Sequence, residues 1–365
     1  MIAALIRTLD NLVGRGEAAV TVPPLDGALR PNRKLDEATD RYPLADVDCL
    51  TVVDEALLAS AGNAVYQLDG QEWQQRGDYE AEVACIASAG DGGLAVALAT
   101  GEIVMEGGGF DGRRYNAGVD IRCVTAIAVS GGALYVANGS ADNFADEWQL
   151  DLLQRNASGS LWRIDLDSGE GTQLADGLAW PAGIAIYSDG VVVSEAWKHR
   201  LVRVGPGNPG TTQVLYADLP GYPGRLSPAD DGYWLAVFAP RSQLVEFVLR
   251  EPGYRDRMVE EVPQPFWIAP KLRSGQSFYE PLQGGGVKHL GIVKPWAPAM
   301  SAGFCVRLDR DFQPDLSLHS RADGQTHGVT GIAEHAGRVF AAARGHGVVI
   351  ALSSGDLADD RGDEQ

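Results

Sequence analysis

Side chains able to do chemistry are sparse in this sequence and lie far apart. Asp48, in DCLTVV, is a carboxylate suited to acid–base work, and His327, in QTHGVTG, is one of 6 histidines and suits a general base near its ordinary pKa. Arg225, in GYPGR, offers a guanidinium to an anionic or carbonyl-bearing group. Thr125 and Thr330 add hydroxyls. Trp180 and Tyr222, next to Pro181 and Pro223, present faces for stacking on a planar substrate. Arg241, in FAPR, is a further cation that either contacts substrate or holds the helix that follows it. Each has a plainer reading: a loop histidine for His327, loop packing for the aromatic pair. His199, His346 and the Glu195–Arg200 pair read as peripheral or structural. The sequence contains no GxSxG elbow, P-loop, HExxH or dinucleotide fingerprint.

What must bring these residues together is a repeat. Short apolar runs recur in pairs around a polar Gly turn, at 48–68, 84–105, 124–138 (with SLWRIDL at 160–166), 182–204, 224–248 and 329–351. Runs joined by turns this short form antiparallel hairpins. Six such units predict an all-β chain, a six-bladed β-propeller in which every blade buries both faces against its neighbours. A β-sandwich is the alternative, and the constancy of the unit argues against it. The propeller is expected over 48–351, preceded by 1–47 and followed by an acidic, disordered tail at 352–365. Residues 2–13 have helical spacing, and AAVTV at 18–22 is a candidate for the outer strand that closes the last blade.

Two segments interrupt the repeat. Residues 139–159 contain WQLDLLQ, which reads as a short helix. Residues 249–301 are long and carry Tyr254, Phe266, Trp267, Phe278, Tyr279 and Trp296. An aromatic insertion of this length in the fifth blade is expected to be a lid over the channel mouth or an interface. An oligomer would use either this insertion or the N-terminal helix.

Composition bounds the partners. The chain has 365 residues, 45 Gly and a formal charge of −19. That charge repels phosphate backbones, so nucleic acid and anionic membrane surfaces are poor partners. No run approaches 18 apolar residues, and the N-terminus lacks a basic region before its apolar stretch, so neither a transmembrane segment nor a secretory signal is expected. Cys49, Cys85, Cys123 and Cys305 stand far apart without CxxC, which suggests reduced thiols in a cytoplasmic protein.

Aligning the six units gives one residue per blade at the channel axis: Asp48, Ala84, Thr125, Ala182, Gly224 and Thr330. The next positions are Cys49, Cys85, Ala126, Gly183, Arg225 and Gly331. Asp48 is the one carboxylate of the first ring. Calcium wants six to eight oxygens, several of them charged. The ring is a thin supply, so a metal-independent channel with no cofactor is expected, and a bound calcium would take Asp48 as its ligand. Cys49 and Cys85 share a register on adjacent blades and read as small buried apolar residues.

The words DEWQLDLLQRNASGSLWRIDL, GLAWPAGIAI, VVVSEAWKHRLVRV, ADLPGYPGRL, DGYWLAVFAPR and VTGIAEHAGRVF resemble the strictosidine synthase-like family of six-bladed propellers. These are related to the gluconolactonase, regucalcin and paraoxonase propellers. The resemblance runs over about residues 23–351 and is most specific from 145 to 241. It implies an enzyme that acts on a small organic molecule at the channel mouth. Strictosidine synthase itself carries an acid/base glutamate where this sequence has Thr330, so strictosidine formation is not expected. The calcium-dependent relatives hold their metal at positions that match Asp48, Ala182, Gly224 and Arg225. One ligand survives in kind, and Arg225 would place a cation where the metal sits. Hydrolysis of a lactone or ester-like bond is the expected reaction, with Asp48 and His327 catalytic and Thr125, Trp180, Tyr222, Arg225, Arg241 and Thr330 binding substrate. The alternatives are a non-catalytic binding or scaffold propeller, and a C–N or C–C bond-forming or lyase variant.

Overall fold

The computed structural model describes residues 22–116, 121–187, 190–207, 210–277, 279–281 and 300–357. Their strands form six four-stranded antiparallel sheets. The first strands of the sheets are Val47–Val53, Val83–Gly90, Val124–Ser130, Pro181–Tyr187, Gly221–Ala229 and Val329–His335. Each packs against the first strand of both neighbouring sheets, and Val329–His335 meets Val47–Val53, so the ring closes. This is a six-bladed β-propeller. The second strands are nearly pure apolar runs, such as Gly93–Leu98 and Arg338–Ala343, because both faces of a blade are covered.

Local turn chemistry sets the hairpin registers. Val53 pairs with Ala56, Ser130 with Ala133 and His335 with Arg338, each across two residues. Both residues of these loops have positive φ: Asp54 and Glu55, Gly131 and Gly132, Ala336 and Gly337. Such turns match the right-handed twist of the strands they join.

The sixth sheet takes its outer strand from Asp40–Pro43, whose Asp40 pairs with Ala351 and Pro43 with Val348. The closing strand is therefore DRYP and not AAVTV at 18–22. DRYP buries one large side chain, Tyr42, against Phe340 (ring centroids 6.2 Å apart), and ends in a proline. That pattern carries little strand signal, and pairing to an edge formed far along the chain decides it. The helical spacing at 2–13 lies outside the described residues. Residues 26–38 pad the outer edge of sheet 5. Asn32 donates to Ser317 O and accepts from His319 N, while Asp36 accepts from Ser320 Oγ and the Arg321 and Gln325 amides.

Trp148–Gln154 is a helix, as WQLDLLQ suggests. The fifth unit departs from its reading. Its second strand ends at Pro240, and Gln243–Arg250 is a helix and not a continuation of the hairpin to 248. Ser242 caps it, its Oγ accepting from Val245 N. A second helix, Pro252–Glu261, follows, and the third strand begins at Gly303. Phe278 and Trp296 of the expected aromatic set lie outside the described residues. At the C-terminus the last strand runs to Ser353, inside the expected tail, and Ser354–Leu357 forms one helical turn. No helix among the described residues is long and apolar enough to cross a membrane.

Candidate functional site

The site grows out of a repeated irregularity. Five first strands lose register by one residue at the same point, between Val83 and Cys85, Val124 and Ala126, Pro181 and Gly183, Val329 and Gly331, and more widely between Val47 and Leu50. In sheet 5 the slip spans Pro223 to Leu226. A bulge takes one residue out of the ladder and turns its side chain to a new direction. The bulged residues include Asp48, Ala84, Thr125, Ala182, Gly224 and Thr330. All six line a cavity of about 360 Å³ at the channel mouth. The positions that follow, Cys49, Cys85, Ala126, Arg225 and Gly331, line a second cavity of about 380 Å³ deeper in the channel. Carbonyls released by the bulges are taken up from neighbouring blades. Thr330 Oγ1 donates to Asp48 O, Thr125 Oγ1 to Pro181 O, and Ser194 Oγ to Gly224 O.

Arg225 divides the two cavities and borders both. Its Nη1 donates to Asp48 Oδ1 at 2.9 Å and to Thr330 O at 3.2 Å, and its Nη2 donates to Asp48 Oδ2 and Ala84 O, both at 2.8 Å. One guanidinium thus ties sheet 5 to sheets 1, 2 and 6. Its Nε is buried without a partner. Burial raises the Asp48 pKa, but Arg225 and then Arg344 outweigh it and hold the carboxyl well below its usual range. Asp48 is therefore a fixed anion whose lone pairs are engaged, poorly suited to take a proton. The sequence reading has Arg225 bind substrate; in the structure it borders the mouth chamber while its Nη donors are spent on Asp48 and on the Thr330 and Ala84 carbonyls.

Arg344 is the more available cation. Its Nη1 lies 3.3 Å from Asp48 Oδ2 and its Nη2 lies 3.3 Å from Glu82 Oε1, with 35% of its side chain exposed against 16% for Arg225. Glu82, 55% exposed, and the exposed Asp146 complete the polar lining. Neither Arg344, Glu82 nor Asp146 was singled out from the sequence. Each sits in a connection beside a strand or helix, where its neighbours in sequence give no sign of the cavity.

The apolar lining comes from Trp148, Trp180, Phe238 and Leu272. Trp180 stacks on Trp197 with centroids 5.2 Å apart, and Trp148 meets Phe238 edge-on at 5.5 Å. Trp180 has φ of +54°, an uncommon conformation for a bulky residue. Both insertions contribute: Trp148 belongs to the first and Leu272 to the second. Buried Asp151 anchors the first, accepting from Asn143 Nδ2, Asn156 Nδ2 and Trp197 Nε1 at 2.8, 2.9 and 2.7 Å. Gln149 Nε2 donates to Pro270 O and joins the two insertions.

Other expected residues stand outside the lining. Tyr222 is fully buried behind Trp197, its hydroxyl without a partner and its ring 4.6 Å from His199. Arg241 donates to both oxygens of Glu246 and to Leu219 O, so it fastens the helix Gln243–Arg250. His327 is buried, with Nε2 donating to Arg321 O at 2.7 Å and Nδ1 accepting from Ser301 Oγ at 2.9 Å. Burial also lowers its pKa. With both ring nitrogens engaged it is a bracket between the second insertion and sheet 6, not a free base.

A curated relative, strictosidine synthase-like 10 of Arabidopsis thaliana, is 29% identical over 168 residues, which is 44% of this chain and 41% of that protein. Over that stretch the chain is similar to this strictosidine synthase-like protein. The matched region is less than half of the relative's length. No protein-family model matches. Among solved structures, a gluconolactonase from Xanthomonas campestris superposes with a TM-score of 0.51 at 13% identity, covering 86% of this chain and 87% of that one. Regucalcin from Agrobacterium tumefaciens, described as a calcium-binding protein, gives 0.50 at 12% identity, with 86% and 93% covered. These likenesses concern the fold.

The axial calcium that the sequence resemblance implies does not fit the residues present. Of the four matching positions, Ala182 and Gly224 have no side-chain donor, Arg225 is itself a cation, and Asp48 has both oxygens committed to that cation. A divalent ion there would meet the guanidinium at close range and one carboxylate in place of several.

Proposed function

We propose that this propeller is an enzyme that takes a small organic molecule into the mouth chamber and hydrolyses a lactone or ester-like bond there, without a metal. One observation carries the reading: a chamber of about 360 Å³ is lined both by Trp148, Trp180 and Phe238 and by the charged groups Arg344, Glu82 and Asp146. The volume suits a drug-sized ligand with an apolar body and a few polar anchors. Arg344 supplies N–H groups to the carbonyl oxygen of the substrate, where negative charge develops during attack. Glu82, beside it, takes a proton from the attacking water. Asp48 and Arg225 form the floor and hold the bulged strands in place. Four free, buried cysteines suit a reducing compartment, and we place the chain in the cytoplasm.

The experiment is a panel of lactones and aryl esters assayed after exhaustive chelation. Turnover is expected without added metal, and Arg344→Gln and Glu82→Gln each lower kcat/KM by about 100-fold, within the range of such contributions. Binding of the same compounds with no turnover would favour a second reading, a propeller that binds without catalysis. The commitment of the axial carboxylate Asp48 to Arg225 is the observation on that side.

A further inference from the structure

The deeper cavity contains a chemical feature that the mouth chamber does not use. Cys49 Sγ and Cys85 Sγ lie 3.4 Å apart on the first strands of sheets 1 and 2. Both residues line the deeper cavity, and Arg225 borders it with them. We propose that Cys49 and Cys85 are an oxidation site, a thiol pair that a small hydroperoxide entering the deeper cavity converts to a disulfide between two blades.

The other two cysteines show what is special about this pair. Cys123 and Cys305 are buried without a thiol neighbour, and burial pushes both thiols up, Cys123 to about 12. They remain neutral and inert. At the pair, the two thiols hydrogen-bond each other and the Arg225 guanidinium lies nearby, so the Cys85 thiol is drawn down while that of Cys49 is pushed up. One nucleophile and one proton-bearing partner stand in contact.

The chemistry balances. The Cys85 thiolate attacks one oxygen of the hydroperoxide. An S–O bond forms, the O–O bond breaks, and the departing oxygen leaves as hydroxide or alkoxide and picks up the thiol's proton. Cys49 sulfur then attacks the Cys85 sulfenic acid, the S–S bond forms, and water leaves with the Cys49 proton. Two thiols lose two electrons and the peroxide gains them. The product reaches the floor of the mouth chamber, because Cys49 follows Asp48 and Cys85 follows Ala84, two of the acceptors that hold Arg225. Drawing the sulfurs from 3.4 Å to a bond length of about 2.05 Å pulls on both strands at the point where they grip the guanidinium.

The test is a titration of the folded protein with hydrogen peroxide, followed by alkylation and peptide mass spectrometry without reduction. A Cys49–Cys85 cross-linked peptide is expected at near-stoichiometric peroxide, reversed by dithiothreitol, with Cys123 and Cys305 still alkylated. In Cys49→Ser, a sulfenic acid trapped by dimedone at Cys85 is expected. In Cys85→Ser, Cys49 stays unlabelled at the same dose. Oxidation of Cys123 or Cys305 ahead of the pair would overturn the proposal, as would a cross-link that forms only in urea. Circular dichroism on both variants separates these outcomes from misfolding, because serine replaces each thiol with little change in volume.

Discussion

Arg225 and Asp48 meet through paired N–H···O contacts of 2.9 and 2.8 Å, joining sheets 5 and 1, which are not neighbours in the ring. At the axial position where the sequence resemblance implies a metal, this chain places a covalently attached cation. A guanidinium is planar, always charged and rich in donors, so it can bind one carboxylate and two backbone carbonyls at once.

Breaking that pair leaves a buried anion. Arg225→Met is expected to destabilise the protein by about 3 kcal/mol, the low end for a broken buried pair, because Arg344 at 3.3 Å still faces Asp48. Combining Arg225→Met with Asp48→Asn should cost less than the sum of the two single changes, since the neutral amide no longer needs a cation. Urea unfolding of the four proteins checks this. Strict additivity would show that the pair is not coupled.

Acid sensitivity follows from buried histidines. Burial lowers the pKa of His199, His319, His327 and His346, with His319 and His346 brought to about 4. The unfolded chain takes up these protons near pH 6.5 while the native state does not. Stability is therefore full above about pH 6.5 and falls as the pH drops toward 4. His319 alone accounts for roughly 2 kcal/mol of loss at pH 5. Burial raises the Glu246 pKa, but His199 and Arg241 outweigh this and hold it at about 2, so its contribution is present above about pH 4.5 and lost only below that. Thermal midpoints measured from pH 8 to 4 should decline first between 6.5 and 5. His319→Gln should flatten that limb, and an unchanged slope would contradict the assignment.

Close approach of the first strands sets a steric limit. A Cβ on Gly331 would lie 2.7 Å from Asp48 O and 2.9 Å from Leu50 N, both backbone atoms that cannot swing away. Gly331→Ala is expected to cost about 1–3 kcal/mol through overpacking. Gly109→Ala, where nothing lies within 4 Å, serves as the control and should change stability by less than about 0.5 kcal/mol. The two denaturation midpoints decide it.

Ligand entry should be visible through the indoles. Trp148 and Trp180 line the mouth chamber, and Trp197 stacks behind Trp180. A compound bound there is expected to quench or shift tryptophan emission in a saturable way. Trp148→Ala should weaken binding about fivefold, in keeping with one lost aromatic contact of roughly 1 kcal/mol, and should also lower the unfolding midpoint, because its ring packs on Phe238 and Trp197. Binding unaffected by Trp148→Ala would place the ligand elsewhere.

Much of this was legible in the residues themselves. The paired apolar runs and their positive-φ turns specify hairpins locally, so six blades and their registers follow from short-range chemistry. That register also picked out Asp48, Ala84, Thr125, Ala182, Gly224 and Thr330 as equivalent positions, and all six line the mouth chamber. Tertiary structure decided what those residues do. The side chain of Arg225 turns inward to Asp48, 177 positions away in sequence. His327 spends both nitrogens on Ser301 and Arg321, and Arg344 and Glu82 meet at the rim from opposite ends of the chain. Asp40–Pro43 becomes a strand only because the last blade offers it an edge. Hairpin formation depends on neighbours a few residues apart, whereas ion pairing and burial depend on which distant groups the closed ring brings within about 4 Å, and no local pattern encodes that.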